Sequence, residues 1–184
     1  MFSFLTHLAC TSCGETVSAE SLRNLCPACG KVLDARYDLA SAATSMTLEE
    51  LAHRPFGLWR YHEVLPVRDA ANVITLGEGG TPLLPLSQYG AAIGVPHLLV
   101  KDEGHDPTAS FKARGLSVAI SQAKELGVTA VTMPSAGNAA SALCAYAARA
   151  GIAVHVFMPR DTPETMQVEC TVYGADIALV RPAP

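Results

Sequence analysis

From His97 onward the chain repeats one rhythm, and that rhythm limits its fold more than any other feature. Apolar runs of strand character fall at 98–101, 129–133, 153–158 and 176–180. Between them, 112–126, 139–150 and 163–173 carry helical patterns. Gly127, Gly151 and Gly174 follow the three helices, where a residue free to adopt a left-handed backbone closes the last turn. Pro163 stands at a helix start, where its missing N–H costs little. Such alternation predicts an α/β fold with parallel strands joined by right-handed crossovers. Ligands of these sheets bind outside the carboxyl ends of the strands.

Two loops lie at those ends. The first is Asp106-Pro107-Thr108-Ala109-Ser110-Phe111-Lys112-Ala113-Arg114-Gly115. Leu98-Leu99-Val100 stops before it, and the helical series Leu116, Ala119, Ile120, Ala123 and Leu126 starts after it. Ser110 is placed to cap that helix by accepting a free first-turn N–H. Lys112 opposes the helix dipole, which favours anions at that end. A disfavoured cation beside a cleft suits an amine nucleophile, since only the neutral amine attacks a carbonyl. The competing reading is a solvated surface lysine. Phe111 and the Pro-Thr-Ala-Ser approach weigh against it.

The second loop is Pro134-Ser135-Ala136-Gly137-Asn138-Ala139. Gly137 lets backbone N–H groups converge, and a helix begins behind it, which makes an anion site. Asn138 offers an amide donor for a phenolate oxygen; read without its context, the residue is a plain helix cap.

Ahead of this region stand Cys10-x2-Cys13 and Cys26-x2-Cys29, with twelve residues between the pairs and a glycine after each. Each pair makes a knuckle that turns two sulfurs toward one point, and four thiolates suit tetrahedral Zn²⁺. The alternatives are two disulfides or a ribbon without metal. A closed four-cysteine site leaves no open coordination position, so the metal is expected to be structural. Charges from Cys10 to Arg36 balance, which leaves no face to track phosphates.

Six cysteines among 184 residues suggest reduced thiols and a cytoplasmic setting. A net charge of −4 gives no attraction to nucleic acid or an acidic membrane. No apolar run reaches the length of a membrane span, and the start lacks the basic region of a signal peptide. Cys144 and Cys170 fall in helical patterns as core residues, the histidines show no ligand spacing, and Arg114 and Glu169 read as structural or solvent-facing. Between ribbon and α/β region, 40–47 reads as a linker, and Thr47 with Glu50 as a capping box. Trp59 reads as a packing anchor. The glycines of Leu76-Gly77-Glu78-Gly79-Gly80-Thr81-Pro82 mark a loop of close backbone approach.

Several of these stretches resemble a known family. Ser110-Phe111-Lys112-Ala113-Arg114-Gly115 resembles the lysine motif of the tryptophan-synthase-β-like (fold type II) pyridoxal-phosphate enzymes. Gly77-Glu78-Gly79-Gly80-Thr81-Pro82-Leu83, Leu58-Trp59-Arg60-Tyr61 with Val64-Leu65-Pro66-Val67, and a cysteine ribbon ahead of both resemble threonine synthases. The resemblance implies that Lys112 holds pyridoxal 5'-phosphate and moves protons at the substrate's α and β carbons. It implies that Phe111 and Asn138 contact the cofactor, Asn138 at the ring oxygen. Ser135, Ala136, Gly137 and Ala139 would hold the substrate carboxylate. The implied reaction takes O-phosphohomoserine and water to threonine and phosphate. Other readings are a threonine dehydratase, a cysteine-synthase-like enzyme, or an inactive fragment that docks on a partner.

Ala109, Ala113 and Ala136 stand where the family frequently has glycine, aspartate and threonine. The implied fold is a zinc ribbon (1–38), a linker and N-terminal segment (39–95), the first half of a three-layer α/β/α enzyme (96–180) and a tail (181–184). The family's loop for the cofactor phosphate and its partner for the pyridine nitrogen would lie in a second domain. The expectation is therefore an N-terminal piece whose open sheet meets a complementing C-terminal domain or another copy, with no nucleic-acid or membrane partner.

Overall fold

The computed structural model describes residues 1–181. Strands β1 (Leu5–Cys10), β2 (Thr16–Val17) and β3 (Leu33–Tyr37) form an antiparallel sheet in the order β2-β1-β3. Cys10 ends β1, and its knuckle turns through Gly14 at φ +76°; the second knuckle turns through Gly30 at φ +69°. These are left-handed values that favour glycine.

The stretch expected to be a linker forms helix α1 (Leu39–Ser45) instead, ahead of the expected short helix α2 (Leu48–His53). Its alanines are strong helix formers, and Asp38 supplies the start, accepting from the Ser41 N–H at 3.0 Å and the Ser41 hydroxyl at 2.6 Å. Thr47 caps α2 by accepting the Glu50 N–H at 3.2 Å, the forward half of the expected capping box.

Next come β4 (Leu83–Pro85), α3 (Ser87–Ala92) and β5 (Leu99–Lys101). The run at 98–101 is a strand, as expected, but it does not join the parallel series. It pairs antiparallel with β4, Leu84 opposite Val100. Bonds from Leu86 N–H to Leu98 O and from Asp102 N–H to Pro82 O, both 3.0 Å, extend this ladder. Periodicity identifies a strand but not its partner.

The alternation then holds: α4 (Lys112–Glu125), β6 (Ala130–Pro134), α5 (Asn138–Ala150), β7 (Ala153–Pro159), α6 (Glu164–Val172) and β8 (Asp176–Val180). Strands β6, β7 and β8 form a parallel sheet in that order. Val154, Val156 and Met158 of β7 face a core shared with Ile120 of α4, Leu143 and Tyr146 of α5, and Cys170 of α6. Their neighbours His155 and Phe157 point to the other face, where Phe157 is 43% exposed. Among the described residues helices cover one face, so two of the three expected layers are present. Cys144 and Cys170 are both buried, as expected, and burial pushes the Cys144 thiol up to about 12. No helix among the described residues is long and apolar enough to cross a membrane.

Candidate functional site

The lysine loop reaches α4 through two short turns, Glu103–His105 and Pro107–Ala109. Its backbone is strained at one place. Thr108 and Ala109 adopt φ +58° and +51°, the left-handed region that side chains with a Cβ disfavour. Ala109 is the position where the related motif frequently carries glycine. Ser110 is buried, and its hydroxyl accepts the Lys112 N–H at 3.3 Å. Phe111 occupies the N-cap position itself, so Ser110 serves the helix from one residue further out. Lys112 opens α4, half-buried, with Nζ 4.4 Å from the centre of the exposed Phe111 ring. At that range the ring face attracts the ammonium.

The second loop follows β6. The Ser135 N–H donates to Phe157 O at 3.1 Å and prolongs the β6–β7 ladder by one residue. Gly137 is the N-cap of α5 and offers no side-chain cap. Asn138 is exposed at the first helical position rather than at the cap, which excludes its simple capping role. The first-turn N–H groups of a helix have no intrahelical acceptor, and no acidic side chain occupies this turn. Ser135, Gly137 and Ala139 are half-buried, and Ala136 is exposed.

The two loops share one end of the fold. Helix α5 packs against β7 and along α4. It also touches the Pro107–Ala109 turn that leads into Lys112. Small buried residues, Ala113 and Ser117 on α4 and Ala140 and Ser141 on α5, permit the close approach.

Residues unremarked in the sequence hold this arrangement. Glu78 of the glycine-rich loop is 1% exposed. Its Oε1 accepts from Trp59 Nε1 at 2.9 Å and Ser117 Oγ at 2.5 Å. Its Oε2 accepts from Tyr146 OH at 2.6 Å and from Thr75 Oγ1 and the Leu76 N–H at 3.1 Å. One carboxylate thus ties the loop to α4 and α5. Burial works to raise its pKa, but these donors outweigh it and hold the group below the ordinary range. The same burial, with Glu78 beside it, pushes the Tyr146 phenol upward.

A second tie joins the glycine-rich loop to the lysine loop. Arg114 donates to both oxygens of Glu103, from Nε at 2.6 Å and from a terminal nitrogen at 2.9 Å. Thr81 Oγ1 donates to Glu103 at 2.6 Å, and the Gly79 N–H donates to the buried Asp106 at 2.7 Å. Hydrogen bonding from Arg114 drives the Glu103 pKa down to about 2. Burial pushes the Asp106 carboxyl upward. Arg114 is structural, as expected. The signal for Glu78 was a charged residue set among glycines; a sequence motif does not reveal which donors converge on it.

In the ribbon, Cys10, Cys13, Cys26 and Cys29 bring their sulfurs within 4.8 Å of one another. Cys10 and Cys29 lie 3.4 Å apart and Cys13 and Cys26 3.7 Å apart, and all four are free thiols. A tetrahedral zinc with Zn–S bonds near 2.3 Å separates its sulfurs by about 3.8 Å, so the cluster fits such an ion. Backbone N–H groups of Cys13 and Ser12 point at the Cys10 sulfur and lower its pKa to about 6, while hydrogen bonding with Cys10 pushes Cys29 up to about 12.

The family described as "Pyridoxal-phosphate dependent enzyme" matches residues 74–184. A threonine synthase of Methanocaldococcus jannaschii is 37% identical over 173 residues, covering 94% of this chain and 42% of its own. That of Methanosarcina acetivorans is 37% identical over 176 residues, covering 95% and 42%. The chain therefore spans about two fifths of the length of these relatives. Among solved structures, a pyridoxal 5'-phosphate-dependent aspartate racemase superposes with TM-score 0.53 at 30% identity, covering 56% of this chain and 33% of its own. Maize serine racemase gives 0.52 at 29% identity, covering 56% and 31%.

Proposed function

Because the chain belongs to the pyridoxal-phosphate-dependent enzyme family, we propose that it is the N-terminal part of a threonine synthase, with O-phosphohomoserine and water as substrates. The carrying observation is Lys112 at the first position of α4, with α5 packed alongside and its uncapped N-terminus at the same end of the sheet. When bound, pyridoxal phosphate supplies the electron sink for carbanions beside the substrate amine.

This chain's residues do the rest. Lys112 would hold the cofactor and move protons at the substrate's α and β carbons. Phe111 and Asn138 contact the cofactor, the Asn138 amide donating to the ring oxygen. Backbone N–H groups of Ser135, Gly137 and Ala139 hold the substrate carboxylate. Ala136 brings only its backbone and no hydroxyl. Glu78 and Arg114 keep the two loops in register.

The match to threonine synthases over 94% of the chain favours that substrate above those of other lyases on this fold. In this reading 1–38 is a zinc-stabilised ribbon, and 96–180 is half of a catalytic unit completed by a C-terminal domain. The β4–β5 sheet bridges the 39–95 segment to that unit.

The test is covalent capture. Protein mixed with pyridoxal phosphate and reduced with borohydride is digested and sequenced by mass spectrometry. The expected result is a cofactor-sized mass on Lys112, absent in Lys112→Ala. Label spread over exposed lysines, or none, rejects the assignment. Phosphate release from O-phosphohomoserine, without acetate release from O-acetylserine, then distinguishes the substrate.

A further inference from the structure

One cleft lies away from Lys112. It holds about 530 Å³ between the 54–62 segment and the glycine-rich loop, and no residue of the lysine loop or of the 134–139 loop lines it. Its walls are mainly apolar and aromatic: Phe2, Phe56, Leu58, Trp59 and Val73. Phe2 stacks on His62 at 4.2 Å between ring centres, which gives the cleft one flat wall. Pockets of this size and lining suit small ligands, with a few polar groups fixing orientation.

The charges around it are unequal. Arg54 is satisfied by Glu63, which accepts from two of its nitrogens at 2.8 and 2.6 Å. Glu78 lies in the wall, but both its oxygens are already taken by donors. Arg60 differs. Its guanidinium sits 4.4 Å from the centre of the Phe56 ring and 5.4 Å from that of Tyr61, with one nitrogen bonded to Leu51 O. No carboxylate among the described residues pairs with it. Phe56 is 82% exposed, an unusual position for a large apolar ring.

We infer that this cleft is a second binding site, distinct from the cofactor site, for a small planar aromatic anion. The ring lies against the aromatic walls and the anionic group meets Arg60. The inference does not depend on the reading of Lys112.

Trp59 is the only tryptophan, so its indole N–H gives one signal in a ¹⁵N-correlated NMR spectrum. The cofactor-free protein is titrated with 2-naphthoate and, separately, with its neutral analogue 2-naphthalenemethanol. Saturable movement of the Trp59 indole signal by naphthoate is expected, with the neutral analogue at least tenfold weaker. Arg60→Gln should reduce naphthoate affinity about tenfold and leave the analogue unchanged, while Arg60→Lys recovers part of the loss. Phe56→Ala, at an exposed position that leaves folding intact, should weaken both probes. Three results overturn the proposal: an indole signal that does not move, equal affinity for the two probes, or an Arg60→Gln protein that binds naphthoate as tightly as the parent.

Discussion

Ala109 and Gly79 show backbone geometry setting residue identity. Ala109 adopts φ +51° immediately before the lysine motif. Glycine tolerates that conformation, so Ala109→Gly should stabilise the protein by about 0.5–1 kcal/mol in urea denaturation, after the greater freedom of glycine in the unfolded chain is counted. Gly79 is the opposite case. Its φ is +89°, and a Cβ there would lie 2.6 Å from the Leu58 nitrogen and 3.1 Å from Arg114. Gly79→Ala should therefore cost at least about 2 kcal/mol by the same measurement, because backbone must move to admit the methyl. The glycine loop was legible in the sequence as a place of close approach. The strain at Thr108 and Ala109 was not, since neither residue type announces a positive φ.

At the scale of elements, the glycine-rich loop, the lysine loop and two helices are joined by three carboxylates, Glu78, Glu103 and Asp106. Glu103 titrates near 2 in the fold against an ordinary 4.5. A lowered folded value means that its contribution is complete above the ordinary pKa and is lost as pH falls through the folded one. The stability difference between the parent and Glu103→Gln should thus shrink as pH drops from about 4.5 to about 2, followed by urea midpoints. A flat difference would mean that Arg114 does not hold Glu103 in solution. The ribbon gives a second check at this scale. One cobalt ion per chain should bind with the intense thiolate-to-metal absorption of four sulfur ligands, and Cys13→Ser should weaken it. Chelation of the native metal should unfold β1–β3, because so small a sheet has little core of its own. The cysteine spacing made this cluster readable in advance, since the ligands are local in sequence. The Glu78 hub was not readable, because Trp59, Ser117 and Tyr146 meet only after the helices pack.

Across the whole molecule, the parallel sheet is covered on one side. Parallel sheets are normally buried on both faces, and here Phe157 of β7 lies 43% exposed on the open one. Leu83, Leu99 and Val100 leave a further apolar surface on the β4–β5 pair. A chain with such faces should self-associate at high concentration. Phe157→Asp should lower the weight-average mass in sedimentation experiments while shifting the unfolding midpoint little, since the ring contributes little to the core. In the proposed function these faces receive the remaining domain, in keeping with relatives more than twice as long.

The sequence alone determined the identity of most elements and of the chemistry-bearing loops. Helices and strands of the α/β region follow from local periodicity and glycine stops, and the knuckles from cysteine spacing; these signals span a few residues. Tertiary structure decided what no local signal encodes. It sent the strand at 99–101 to an antiparallel partner, folded 39–45 into a helix, and gathered distant donors around Glu78. Partner choice and polar convergence depend on the packing of surfaces far apart in the chain, where each contact exists only because the others do.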